Sequence, residues 1–138
     1  ATYDVSRCIR LSSDIEDIHV SARQSLPIGI IVNELVTNSF KYGFDDAADG
    51  LIEVIVRKLP GRVRGFGGSE PDGRKDYLEI LVRDSGRGLP REVREEHAYG
   101  FGLTLVEGYT RQFDGRMEFS SGTPCEIRVV LELEEAEE

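Results

Sequence analysis

The stretch from Pro27 to Tyr42 (Pro-Ile-Gly-Ile-Ile-Val-Asn-Glu-Leu-Val-Thr-Asn-Ser-Phe-Lys-Tyr) constrains this chain more than any other. Its spacing predicts a helix. At about 100° per residue, Glu34, Asn38 and Lys41 fall within an arc of roughly 60°, with Thr37 and Tyr42 at its edges. Val32, Leu35, Val36 and Phe40 take the opposite side and are expected to face a core. A carboxylate, a carboxamide, an ammonium and a phenol aligned this way suit phosphate and metal. Asn38 offers an amide oxygen to Mg²⁺, a cation that takes few protein ligands and completes its octahedron with phosphate oxygens and water. Glu34, one turn earlier, is placed to orient or deprotonate a nucleophile, and Lys41 to neutralise phosphate. The same residues also fit a solvated helix face, although Glu34 and Lys41 stand too far apart for an ordinary helical ion pair.

Around this helix the chain alternates between strand-like and helix-like spacing. Cys8 to Leu11 and Asp17 to Ser21 read as a small antiparallel pair flanking a polar turn at Ser12 to Glu16. Ser25 is positioned to cap the helix ahead of Pro27 in its first turn, and Gly43 to close it. Leu51 to Leu59 and Tyr77 to Arg83 read as strands. Between them, residues 60–76 hold five Gly, two Pro and three Arg without periodicity, as a long mobile hairpin connection would. Helical spacing resumes from Leu103 to Phe113, followed by strands at Arg116 to Ser120 and Cys125 to Leu133 around a turn at Ser121 to Pro124. The order ββ, α, ββ, α, ββ implies an α+β fold: a two-layer α/β sandwich with helices on one face of a mixed, mostly antiparallel sheet. At 138 residues the chain is read as a single domain, 1–138, that can bury a core without staples.

Two further segments carry chemistry. Asp84-Ser-Gly-Arg-Gly ends a predicted strand in a glycine-rich turn. A carboxylate there can accept a hydrogen bond from an exocyclic amine, while Gly86 and Gly88 let the backbone approach a flat ring. Gly100-Phe-Gly-Leu-Thr opens the second helix and offers its unpaired N–H groups to an anion. Each alone is equally a tight turn or an ordinary glycine entry to a helix. No Walker signature is present, and the Gly-x-Gly does not directly follow a strand, so neither a P-loop nor a dinucleotide fold is supported.

A net charge of −9 argues against a general nucleic-acid surface, which needs clustered Lys and Arg. Much of that excess sits in an acidic tail, residues 134–138, read as solvated. Cys8 and Cys125 form no metal or redox motif and read as buried free thiols in a reducing cytoplasm. No run of about 18 apolar residues or signal-peptide pattern is present. The start lacks an initiator Met, as an excised piece of a longer protein would, and membrane attachment of such a parent is left open.

Taken in order, the Glu-x-x-x-Asn helix, the Asp-x-Gly-x-Gly turn, the glycine-opened helix and Gly122-Thr123 resemble the ATP-binding domain shared by gyrase, Hsp90-type chaperones, histidine kinases and MutL-type repair proteins. Asn33 to Tyr42 is most similar to sensor histidine kinases whose first motif begins Asn-Glu-Leu. The resemblance implies ATP and Mg²⁺ as ligands. Asn38 would hold the metal, Glu34 would assist proton removal from the acceptor, and Lys41 and Tyr42 would line the phosphate side. Asp84 would receive the adenine amine, with Gly86 and Gly88 shaping the pocket. Gly100, Gly102 and Leu103 would bring the short nucleotide lid, the few residues between Pro90 and Gly100, and the helix start to the phosphates, Thr123 would support the adenine end, and Arg87 and Arg94 would be further phosphate contacts. It implies a phosphoryl-accepting His on a separate dimerisation domain of the same homodimeric parent, and a response regulator beyond it. His19 and His97 lie on a strand and in the lid, and neither suits the acceptor role. An anti-sigma-factor serine kinase and a non-catalytic ATP-binding module are the alternatives.

Overall fold

Ser21 starts the long helix. Its hydroxyl accepts from the Gln24 N–H at 3.2 Å, and its carbonyl accepts from the N–H groups of Gln24 and Ser25, both at 3.1 Å. The cap is therefore four residues upstream of Ser25, whose hydroxyl instead donates back to the Ala22 carbonyl. Replacing Ser21 by Ala is expected to cost about 1 kcal/mol in denaturant unfolding, and replacing Ser25 under about 0.5 kcal/mol.

The computed structural model describes residues 8–42, 44, 49–60, 75–86, 93, 99–120 and 124–134. Their elements run β1 (Ile9–Ile15), α1 (Ala22–Tyr42), β2 (Gly50–Leu59), β3 (Tyr77–Asp84), α2 (Phe101–Gln112), β4 (Arg116–Phe119) and β5 (Cys125–Glu132). The strands form one sheet in the order β1-β2-β3-β5-β4, parallel only between β1 and β2. Leu59 pairs with Tyr77, so the two ends of the 60–76 connection are neighbours as a hairpin requires, although 61–74 lie outside the described residues. Residues 135–138 of the predicted tail also lie outside them. No helix among the described residues is long and apolar enough to cross a membrane.

Period-two alternation puts Ile52, Val54 and Val56 of β2, Leu78, Ile80 and Val82 of β3, and Ile127, Val129 and Leu131 of β5 on one face. Ile31 and Leu35 of α1 and Leu103 and Val106 of α2 close over it, giving the two-layer α+β sandwich. Gln24, fully buried at the start of α1, ties that layer to the sheet. Its amide nitrogen donates to the Glu132 carbonyl and its oxygen accepts from the Glu134 N–H, both at 2.9 Å.

The other face of the sheet carries ion pairs. Glu79, only 1% exposed in mid-sheet, accepts from Arg57 Nε at 2.6 Å and Arg128 Nε at 2.5 Å on its two flanking strands. Arg83 pairs with Glu126 at 2.6 Å one layer away. Removing Glu79 leaves two guanidinium groups without their shared acceptor, Arg128 keeping Glu118 at 3.6 Å. Glu79→Ala should cost about 2 kcal/mol in urea unfolding, less than a fully buried pair because Arg57 is itself half-exposed. Adding Arg128→Met should then cost under about 0.5 kcal/mol.

Three expectations are corrected. The segment before α1 is not a hairpin but a single strand across the predicted turn, paired in parallel with β2 from Ile9 with Gly50 to Ile15 with Val56. Phe40 is 42% exposed, and the buried stripe of α1 runs instead through Gln24, Pro27, Ile31, Leu35 and Ser39. Cys8 is exposed, while Cys125 is buried as expected.

Candidate functional site

Asp84 is the last residue of β3 and is buried. Ser85 prolongs the pairing by one residue: its N–H donates to the Leu51 carbonyl at 3.0 Å, and its hydroxyl accepts from the Leu51 N–H at 2.9 Å. This fixes the start of the glycine turn, where the Gly86 N–H donates to Asp84 Oδ1 at 3.0 Å. Burial raises the Asp84 carboxyl above its usual range, while hydrogen bonds from the Ser39 hydroxyl and the Gly86 N–H pull it back down. The result is a carboxylate at a strand end with one oxygen held by backbone.

Ser39 is the site residue that sequence reasoning overlooked. It is 4% exposed, on α1 next to Asn38, and links that helix to the strand-end carboxylate. The signal was available, since Ser39 is four residues beyond the buried Leu35 and continues its stripe.

Asn38 and Glu34 are both half-buried. Asn38 Nδ2 is the only buried side-chain nitrogen or oxygen among the described residues that has no hydrogen-bond partner. An orphaned amide of this kind is costly unless a ligand completes it. Its nitrogen suits a phosphate oxygen and its oxygen a hard cation. Among the described residues no group of three or more His, Cys, Asp or Glu could hold a metal. The carboxamide oxygen of Asn38 is by its chemistry a donor that suits an ion taking one protein ligand and filling its shell from phosphate and water, as Mg²⁺ does.

The second helix meets α1 at this point. Gly100 caps α2 in an extended conformation without a side-chain hydrogen bond, and the first turn contains no acidic residue. Among the described residues the N–H groups of Phe101, Gly102 and Leu103 have no backbone partner, the first closed bond being Thr104 N–H to the Gly100 carbonyl at 3.1 Å. Leu103 drives its side chain into the core at 3% exposed and so contributes only backbone here. Glu34 reaches across from α1, and a Cβ on Gly102 would collide with its Oε2. Glycine at 102 is what lets the carboxylate lie against the first turn of α2. Tyr99, just before the cap, packs its ring against Phe119 of β4 at 6.0 Å between centroids. Burial, reinforced by Glu107, raises its phenol further above the usual range.

The structure thus brings Glu34 to Gly102, and Asp84 to Gly86 and to the residue following Asn38. Lys41 is exposed and engages only its neighbour among the proposed ligands, with Nζ 5.1 Å from the Tyr42 ring centroid. Gly88, Thr123, Arg87, Arg94 and His97 lie outside the described residues.

A family model described as histidine kinase-, DNA gyrase B-, and HSP90-like ATPase matches residues 24–136. Blue-light-activated histidine kinase 2 of Erythrobacter litoralis (strain HTCC2594) is 20% identical over 114 residues, which are 83% of this chain and 29% of that protein. Among solved structures, the histidine kinase domain of the E. litoralis EL346 blue-light activated histidine kinase superposes with a TM-score of 0.73 at 20% identity, covering 91% of this chain and 52% of that one. The mycobacterial sensor histidine kinase MprB gives a TM-score of 0.58 at 16% identity, covering 92% and 83%. These structures share the fold. The chain spans less than a third of the length of the curated relative.

Proposed function

The chain belongs to the family of histidine kinase-, DNA gyrase B- and HSP90-like ATPases, and on that footing we propose that it is the ATP-binding catalytic domain of a sensor histidine kinase. The observation that carries the reading is the meeting of Glu34 with the open first turn of α2, one helical turn from the orphaned Asn38 amide. These groups make a phosphate end, and the buried Asp84 at the end of β3 makes an adenine end.

In this reading Asp84 accepts a hydrogen bond from the adenine amine, and the first N–H groups of α2 bind phosphate oxygens. Asn38 would hold Mg²⁺, which neutralises the phosphate chain. Lys41 and Tyr42 line that side. An acceptor imidazole nitrogen attacks the γ-phosphorus as the β,γ-bridging oxygen leaves with ADP. Glu34, which has no hydrogen-bond or ion-pair partner among the described residues, takes the imidazole proton. Positioning and charge neutralisation supply most of the acceleration. The acceptor is a His on a dimerisation domain of the same parent, with a response-regulator Asp after it, and the setting is cytoplasmic. The exposed ring of Phe101 and an apolar groove of about 300 Å³ along α2, lined by Leu105, Gly108 and Tyr109 among others, give that domain a surface to bear on.

Calorimetry with Mg-ATP, followed by incubation with [γ-³²P]ATP and a separately supplied His-bearing domain, tests this directly. Saturable Mg-dependent binding and an acid-labile phosphoryl group on the acceptor are expected. Absence of ATP binding, or acid-stable label on a serine, would sink the proposal.

A further inference from the structure

We infer that Glu34, besides its role toward the acceptor, sets the preference of the pocket between nucleoside triphosphate and diphosphate. The inference rests on the nucleotide reading above and concerns which phosphate the carboxylate meets. Three observations converge. Glu34 Oε2 lies against Gly102 so closely that a Cβ there would push the carboxylate aside. The first turn of α2 brings no acidic residue or side-chain cap of its own, and the carboxylate oxygen lying beside its Gly102 is Glu34 Oε2. No cation among the described residues pairs with that carboxylate, whereas Lys41 lies over Tyr42.

A phosphate chain that ends on the first N–H groups of α2, which have no backbone partner among the described residues, places its last group beside this carboxylate. A carboxylate beside a terminal phosphate repels it in a partly desolvated site, and one Mg²⁺ offsets only part of the charge of a triphosphate. The penalty falls on the terminal phosphate. A γ-phosphate meets it in full, whereas a β-phosphate stands one P–O–P link further away. Glu34 therefore weakens the hold on ATP relative to ADP before reaction. As the γ-phosphoryl passes to the acceptor and its charge moves away from the helix, that penalty is relieved, and this favours transfer over a resting complex.

Isothermal titration calorimetry of the domain with Mg-ATP and Mg-ADP tests this, comparing wild type with Glu34→Gln, which keeps the shape and removes the charge. The ratio Kd(ATP)/Kd(ADP) should fall at least about fivefold in Glu34→Gln, with Kd(ADP) changing less than about twofold. Glu34→Asp keeps the charge but draws it back from Gly102 by one methylene, and its ratio should lie between the two. If both nucleotides shift by one common factor, or neither shifts, Glu34 has no such role and the inference is overturned while nucleotide binding stands. If wild type binds neither nucleotide, the functional reading falls and the inference with it.

Discussion

Glu34→Ala should bind Mg-ATP at least as well as wild type and yet transfer phosphate to a supplied His-bearing domain about 10² to 10⁴ times more slowly, the range for losing a positioned general base. The two halves of this expectation come from different features. Retention of nucleotide follows because the carboxylate makes no hydrogen bond or ion pair among the described residues, and because Gly102 beside it has an open backbone that needs no side chain to support it. Loss of transfer follows because Glu34 is the carboxylate that α1 brings to the first turn of α2, the proposed phosphate end. Single-turnover transfer at saturating ATP separates the two. A transfer rate within about threefold of wild type would remove Glu34 from the proton path.

The residues proposed for the site stand out in the sequence where the edges of the fold do not, and burial is the reason. Asn38, Asp84 and Gly102 each meet a constraint the sequence had to respect: an unpartnered amide, a desolvated carboxylate, and a backbone that a neighbour touches. Strand β1 meets none. It is an edge strand, with Leu11 59% and Ile15 62% exposed, so no buried face enforces alternation, and the polar run Ser12 to Glu16 looked like a turn. Its parallel pairing with β2 is a β-α-β crossover, a long-range relation that local pattern does not carry. Phe40 misled for the opposite reason: an apolar residue was assigned to the core although the helix axis turns it outward, 180° from Ile31 on the wheel. Apolar spacing marks the start of α2 only at Leu103, because that is where burial begins. Phe101, 84% exposed, extends the helix without leaving a periodic mark.

Asp84→Asn should weaken ATP binding at least about a thousandfold while making the empty domain more stable. The geometry sets the chemistry of the swap. Oδ1 is held by the Gly86 N–H at 3.0 Å, so the asparagine oxygen stays there and its NH₂ takes the place of Oδ2. That turns an acceptor toward the adenine amine into a donor, and donor faces donor. Inosine triphosphate, whose base carries a carbonyl at that position, should by the same argument gain affinity, so the ATP/ITP preference inverts. The stability half follows from the raised carboxyl. Desolvation penalises ionised Asp84 in the fold and not in the unfolded chain, so between 3.8 and its raised value the native state holds a proton that the unfolded state has released. The penalty on the fold is thus complete above that raised value and fades as pH falls toward 3.8. Asparagine carries no such penalty. Its gain in urea unfolding should be present at neutral pH and gone near about pH 3. A pocket that keeps a destabilising charge at the end of β3 is expected when the charge serves a ligand. Equal stability of the two proteins across this range, with ATP affinity unchanged, would make Asp84 an ordinary turn residue.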